Sequence, residues 1–192
     1  MTATLDHRRL WSLDGLPGAE GSALIAAARA LRRGAASGAN ASLLRGRQIA
    51  LLNDPDRANV APCSDDPDAT GALLCGASRA LGASVTRLQH RGNSADRARD
   101  LPGFARLMGR LYDAIDCGDL ASDVAREIER AAGVPVFNGL SGPRHPARLL
   151  AERMADEETA ALPMRLADAA PPHFAISNQC YVVQAILLAT LG

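Results

Sequence analysis

The segment NGLSGPRHPAR, residues 138–148, places a histidine beside a proline where a glycine-containing turn meets a predicted helix. A histidine in such a loop could act as a general acid, a general base or a hydrogen-bond donor to a ligand. It could equally be a local hydrogen-bonding residue at the loop-to-helix junction, and we favour that interpretation of His145 because it has no assignable catalytic partner. Ser141 lies nearby, but GLSGPRH is not the Gly-x-Ser-x-Gly elbow of a hydrolase and offers no triad acid.

Arginine-rich loops are a second candidate for ligand chemistry. The guanidinium group binds phosphate or carboxylate through paired hydrogen bonds. The alternative, which we favour, is a solvated set of charges paired with Asp96 and Asp100, and exposed pairs of this kind contribute little. A new anion site would draw on His90, Arg91, Arg97, Arg99, Arg144 and Arg148.

Metal chemistry finds less support. The sequence SDDPD, residues 64–68, clusters carboxylates, but it lacks the spaced acids and the final glutamate of an EF-hand, so we interpret it as a polar turn. The cysteines lack the close spacing that builds zinc or redox sites and are expected to be free thiols. They are Cys63, Cys75, Cys117 and Cys180. The sequence therefore predicts no metal and no cofactor.

Composition excludes several classes of function. All 21 basic residues are arginine, so a lysine Schiff base and a P-loop are both excluded. The 21 acidic residues balance them exactly in number, so no net field draws the chain to nucleic acid or to a membrane. With 192 residues the chain can bury a substantial core as one ordinary domain.

The two ends of the chain bear on location. The start, MTATLDHRRLW, lacks the apolar core of a secretory signal, and YVVQAILLATLG is shorter than the ~20 apolar residues that span a bilayer. We therefore expect a cytoplasmic protein with a buried terminal helix. His7, in a terminal arm, and His173, in a connector, are expected to be exposed.

Apolar runs alternate with helical periodicities along the chain, which is typical of βαβ units and a parallel sheet. Strands are predicted at 47–53, 84–88, 114–117 and 134–138. Helices are predicted at 13–33, 69–81, 101–112, 124–132, 145–155 and 177–191. The fold class is thus α/β, a three-layer sandwich whose central parallel sheet of about four strands carries helices on both faces.

Helix ends and ligand positions follow from this arrangement. Asp119 or Ser122 could cap the helix at 124–132, while Gly34 and Gly133 could end helices. Ligands of open parallel sheets bind beyond the carboxyl ends of the strands. Function should therefore be sought in the loops that follow the four predicted strands.

Several segments, taken in order, resemble the aspartate/ornithine carbamoyltransferase family, and its ornithine branch more closely. They are SLDGLPGAEGSALIAAARALRRG, LRGRQIALL, RLMGRLYDAI, AGVPVFNGLSGPRHPARLLAE and SNQCYVVQAILLATL. The resemblance implies a carbamoyl-phosphate-binding-like domain at 1–155, a connector at 156–176 in place of the acceptor domain, and a helix at 177–192 that packs on the first domain. It also implies a homotrimer.

The resemblance implies an altered donor site. The family's Ser-Thr-Arg-Thr-Arg motif is not preserved: in one alignment only Thr70 matches, beside Asp68, and in the other residues 57–61 take its place. Gly118 stands where the family has a further arginine, and Arg97 corresponds in position to an arginine of the intersubunit loop. The family's His-Pro-Thr-Gln keeps His145 and Pro146, whereas Ala147 and Arg148 replace its last two residues.

Two functions are consistent with these features. The first is a truncated, catalytically degenerate carbamoyltransferase-like protein that works by binding or assembly, alone or with a protein partner. The second is a minimal transferase or phosphate-ligand binder that uses His145 and the arginine-rich loops and is completed by a partner chain. Its candidate ligands are carbamoyl phosphate or another small anion, bound through Thr70, Arg97, His145 and Arg148.

Overall fold

The computed structural model describes residues 6–11, 18–53, 71–89, 100–118, 120–142, 145–160 and 173–192. A short 3-10 helix, His7–Trp11, comes first. The α-helices are α1 (Gly18–Ala35), α2 (Ala72–Ala80), α3 (Leu101–Leu111), α4 (Ser122–Ala132), α5 (Pro146–Ala160) and α6 (His173–Leu191). The strands are β1 (Gln48–Asn53), β2 (Ser84–Gln89), β3 (Ala114–Asp116) and β4 (Val136–Phe137).

The four strands form one parallel sheet in the order β2-β1-β3-β4. β1 lies inside the sheet, with Leu51 in register with Arg87 on one side and Asp116 on the other. Strand β4 continues the sheet beyond β3, where Phe137 pairs with Asp116. Because all strands run the same way, their carboxyl ends lie along one edge, which confirms the predicted α/β class.

Successive side chains of β1 alternate between two hydrophobic cores, as the pleat of a strand requires. Ile49 and Leu51 belong to a core built with α1, α2, α5 and α6. Ala50 and Leu52 belong to a second core, built with α3 and α4. The sheet is therefore covered by helices on both faces, as predicted.

Helix α6 supplies much of the first core. Residues 182–187 are all buried, and the helix packs against α1, α2 and α5. A helix that is apolar on nearly all sides needs such cover, so its burial was predictable from composition. No helix within the described part of the chain is long and apolar enough to cross a membrane.

Several local expectations are corrected. Helix α1 continues through Gly34 to Ala35, and the last two helices are longer than predicted, so that only residues 161–172 lie between them. Helix α4 begins at Ser122 after Ala121, without a side-chain cap, because the serine is already inside the first turn. The alternative cap, Asp119, lies outside the described residues.

His7 is not exposed as expected. Its ring meets Phe137 edge to face, with 6.4 Å between the ring centroids, and its Nε2 atom lies 3.7 Å from Oε1 of Glu129. The 3-10 helix packs against the edge strand β4, where the indole Nε1 of Trp11 donates a hydrogen bond to the Val136 carbonyl at 3.0 Å. The supposed terminal arm therefore covers one edge of the sheet. His173 begins α6, and its side chain is outside the described atoms.

Candidate functional site

The candidate site lies at the carboxyl edge of the sheet, just beyond β3 and β4. Of the residues predicted to bind a ligand, the structure describes His145 and Arg148, both close to the start of α5. Thr70 and Arg97 lie outside the described residues, as do Asp68, His90, Arg91, Arg99 and Arg144. The proposed grouping of loop arginines around an anion is therefore not described by the structure.

His145 is buried at the junction between the loop and α5, with 5% of its surface exposed. Its Nδ1 atom accepts a hydrogen bond from the amide of Ala147 at 3.1 Å, so the predicted local hydrogen bond is present. An Nδ1 that accepts leaves the proton of the neutral ring on Nε2. Burial lowers the pKa of His145 to about 4, so the ring is neutral near pH 7.

The Nε2 atom of His145 is buried and has no hydrogen-bond partner among the residues that the structure describes. A buried donor left unpaired costs roughly 1 to 3 kcal/mol, which is an incentive to bind an acceptor. Since the ring is neutral, it offers one N–H group and no positive charge. It can donate to a carbonyl oxygen, but it cannot neutralise a phosphate.

Arg148 forms an ion pair within its own helix. Its Nε donates to Oε1 of Glu152 at 2.9 Å, one helical turn further along α5. The side chains of this pair are 50% and 42% exposed, respectively. The guanidinium group thus pairs with the Glu152 carboxylate on the exposed face of α5, and not with His145.

Gly118 follows β3 at the position where a family arginine was expected. Its φ angle of 48° lies in the left-handed region that favours glycine. A Cβ atom built there would lie 2.5 Å from the Leu52 carbonyl oxygen and 2.7 Å from Oδ1 of Asn53. The end of β1 therefore occupies the space that a side chain at this position would need.

Asp116, the last residue of β3, carries a buried carboxylate that the sequence reasoning missed. Its Oδ1 accepts the amides of Gly118 and Gly139 at 2.8 and 3.0 Å, and its Oδ2 accepts the amide of Leu140 at 2.9 Å. Burial raises the pKa of Asp116 to about 6, although the three amide hydrogen bonds act in the opposite direction. The available signal was an acid inside the apolar run AIDC, which must be hydrogen-bonded once buried.

The loops after β3 and β4 meet closely at this point. A Cβ atom at Gly139, whose φ is 71°, would lie 2.5 Å from the Gly118 carbonyl oxygen. From the other side, Gln179 of α6 donates a hydrogen bond to the Ser141 carbonyl at 3.4 Å. The loop that leads to His145 is thus held between β3 and the terminal helix.

Helix α2 begins after Gly71, which has a φ of 83° and no room for a side chain against Leu51. No side chain caps this helix start. Arg87 of β2 lies beside the first turn, where its guanidinium donates a hydrogen bond to Sγ of Cys75 at 3.6 Å. Because Thr70 is outside the described part, the phosphate-binding expectation at this helix is left as a prediction.

No group of three potential metal ligands occurs within the described ranges. Cys75, Cys117 and Cys180 are free thiols. Burial, and then the charge of Asp116, raises the pKa of Cys117, which makes it a poor nucleophile. Cys63 lies outside the described residues.

A cavity of about 410 Å³ opens at the opposite edge of the sheet, where α1 and α2 end. It is bordered by Ala35, Ala80 and the α6 residues Tyr181 and Gln184. His145, Arg148 and Asp116 are not among its lining residues. It therefore does not belong to the candidate site.

Sequence comparison relates the chain to known enzymes over part of its length. No protein-family model matches it. An ornithine carbamoyltransferase from Cutibacterium acnes is 31% identical over 163 residues, which are 85% of this chain and 46% of that protein. Another, from Neisseria meningitidis, is 36% identical over 88 residues, which are 46% of this chain and 34% of that protein. The chain spans less than half the length of these curated relatives.

Solved structures show the same fold. An aspartate transcarbamoylase from Trypanosoma cruzi, in complex with phosphate, matches with a TM-score of 0.64 and 22% identity, over 84% of this chain and 48% of that one. The ornithine transcarbamoylase from Giardia lamblia matches with a TM-score of 0.59 and 18% identity, over 82% and 45% of the two chains. At such identities the likeness establishes the architecture and no more.

Proposed function

Since the chain is, over part of its length, a member of the aspartate/ornithine carbamoyltransferase family, we propose that it is a catalytically degenerate carbamoyltransferase-like domain with a binding or assembly role. The resemblance puts the family's acceptor domain between the helices that correspond here to α5 and α6. Only residues 161–172 lie there. This is far below the ~50 residues that an independent domain requires.

The observation that carries the proposal is the environment of Gly118. The resemblance assigns a phosphate-binding arginine to this position, and here the Leu52 carbonyl and the Asn53 side chain fill the space of its Cβ atom. An arginine could enter only if the backbone moved. A lost charge-assisted contact costs roughly 1.5 to 3 kcal/mol of binding free energy, about ten- to a hundredfold in affinity.

Electrostatics at the carboxyl edge supports the same conclusion. His145 is neutral near pH 7, and Asp116 carries a negative charge above its pKa of about 6. Arg148, the described arginine closest in sequence to His145, is paired with Glu152. Carbamoyl phosphate is an anion, and neither the neutral His145 ring nor the paired Arg148 offers it a free positive charge.

Titration calorimetry with carbamoyl phosphate in phosphate-free buffer tests the proposal, with inorganic phosphate as the control. We expect binding that is absent or no tighter than millimolar. Micromolar affinity that is selective for carbamoyl phosphate over phosphate would overturn the degenerate assignment. Such a result would mean that the arginines of this sequence have rebuilt the donor site.

The unpaired Nε2 of His145 favours a second candidate, a minimal ligand-binding transferase completed by a partner chain. A buried N–H donor is suited to the carbonyl oxygen of a carbamoyl or carboxamide group. If this function is correct, His145→Ala abolishes any binding of carbamoyl phosphate while Arg148→Ala weakens it. If neither change alters the measured affinity, these residues do not form the site.

Assembly is the part of the proposed role that needs no active site. The resemblance implies a homotrimer, and α3 exposes two leucines one turn apart, Leu107 at 52% and Leu111 at 58%. Exposed apolar side chains in a pair are suited to a contact with another copy of the chain. Native light scattering tests this role, and a monomeric wild-type protein would contradict it.

A further inference from the structure

We propose that the backbone amides of Gly118, Gly139 and Leu140 form an anion-binding site for small carboxylates, which the chain fills with its own Asp116 side chain. This inference goes beyond the proposed function, since it concerns the chain's own backbone and needs no carbamoyltransferase ligand. The site is already formed in the folded chain, and the Asp116 side chain occupies it. The class of ligand follows from the group that occupies it.

The geometry of the amides carries the inference. The amides of Gly139 and Leu140 are consecutive, and Gly139 has the positive φ of 71° that turns two successive N–H groups towards one point. Such nests bind anions in many proteins. Here they reach the two oxygens of one carboxylate, at 3.0 Å to Oδ1 and 2.9 Å to Oδ2.

The third donor comes from a different loop. The amide of Gly118 reaches Oδ1 of Asp116 at 2.8 Å. This contact alone would be a local turn, because the two residues are two positions apart. The contacts to Gly139 and Leu140 span 23 and 24 positions, so the carboxylate joins two loops that are separate in the sequence.

Among the described residues, no other side chain accepts hydrogen bonds from these three amides. Asp116 is 1% exposed, and its described hydrogen bonds all come from backbone amides. A Cβ atom at Gly139 would collide with the Gly118 carbonyl oxygen of the other loop, and one at Gly118 would collide with the Leu52 carbonyl oxygen of β1. The donors are therefore fixed by the backbone, and only the anion can be exchanged.

Removing the occupant tests the proposal. Asp116→Ala deletes the carboxylate and leaves a space that formate, a carboxylate without a side chain, can enter. We expect the thermal midpoint of this variant to rise saturably, by several degrees, with sodium formate compared with sodium chloride at equal ionic strength. The amide resonances of Gly118, Gly139 and Leu140 should shift in the same titration.

Matched variants make the outcome specific. Wild type and Asp116→Asn keep the position filled, so formate should have no more effect on them than chloride. Asp113→Ala removes another carboxylate that accepts a backbone amide, that of Gln48 at 2.8 Å, but at an exposed site where water can replace it. Formate should not rescue that variant.

Asp116→Ser provides a second test if the alanine variant does not fold in chloride. It keeps one acceptor and still leaves room for formate. Folding or stabilisation that depends on formate in either variant supports the proposal, whereas its absence in both overturns it. Tight binding of carbamoyl phosphate to the wild type would overturn the proposed function and leave this inference intact, so the two failures are distinguishable.

Discussion

Asp116 and His145, both buried at the carboxyl edge of the sheet, have pKa values that have crossed. The pKa of the acid rises to about 6 and that of the base falls to about 4, in each case chiefly because burial disfavours the charged form. Between these values both groups are predominantly uncharged. In mildly acidic solution, therefore, neither of these two groups adds a charge to that edge.

Asp116 should make the protein more stable towards acid pH. Its folded pKa lies above the ordinary value of 3.8, so its contribution is fully present below about pH 4 and is lost as the pH rises through 6. The difference corresponds to about 3 kcal/mol of unfolding free energy. Urea denaturation between pH 4 and 7 should show that Asp116→Asn loses stability on acidification more steeply than the wild type, because the variant keeps only the opposing effect of His145. Equal slopes in the two proteins would show that the carboxyl is not buried as described.

His145 should act in the opposite sense. Its folded pKa lies below the ordinary 6.5, so the stability linked to the neutral ring is present above that pH and is lost as the pH falls through about 4. Through this group, acidification should lower the free energy of unfolding by about 3 kcal/mol, and His145→Asn should remove that loss. The same urea experiments measure it, and the wild type should show a shallower pH dependence than either single variant.

The cap formed by His145 can be measured separately at neutral pH. The Ala147 amide loses its acceptor in His145→Ala, which should cost about 1 kcal/mol of unfolding free energy in addition to lost packing. Asparagine can cap in its place and should cost less. A more stable alanine variant would contradict the capping role.

Gly118 should tolerate no side chain. Gly118→Ala places a Cβ against the Leu52 carbonyl at a positive φ, and we expect a loss of about 1 to 3 kcal/mol. Gly76→Ala is the matched control, because this glycine is in the middle of α2 with open space around it and should gain roughly 0.5 to 1 kcal/mol. Gly118→Arg should fold poorly and should not restore binding of carbamoyl phosphate. Tight binding by that variant would show that the loop can make room.

The two exposed leucines of α3 give a prediction for assembly. If the chain forms the proposed trimer, Leu107→Glu with Leu111→Glu should convert it into a monomer, because charges would be buried in the contact. Leu149→Glu is the control, since Leu149 is 42% exposed on α5 and should leave the assembly unchanged. Light scattering at several protein concentrations measures the outcome. Loss of the trimer in all variants would point to a general loss of folding, which circular dichroism would detect.

The sheet and its helices could be predicted because their signals are local. The run QIALLN alternates between two cores that are both apolar, and the segment at 182–187 is apolar except for Gln184. Gly133 ends α4 in the left-handed conformation, as its type suggested. In each case one segment of sequence contains the cause.

The features that escaped prediction depend on distant partners. Asp116 was assigned to a strand, but its role depends on amides more than 20 positions away. His7 was expected in solvent, since nothing beside it in the sequence indicates Phe137 as its neighbour. Ser122 was the right residue type for a cap but is one position too far into the helix.

The placement of α6 has a consequence for how the chain is made. Arg32 of α1 donates a hydrogen bond to Asn178 at 3.0 Å across 146 positions, and the core around them includes Leu191. A ribosome releases the amino end first. The apolar surfaces of α1, α2 and one face of the sheet therefore stay uncovered until α6 emerges. We therefore expect the first core to form only after α6 has been synthesised.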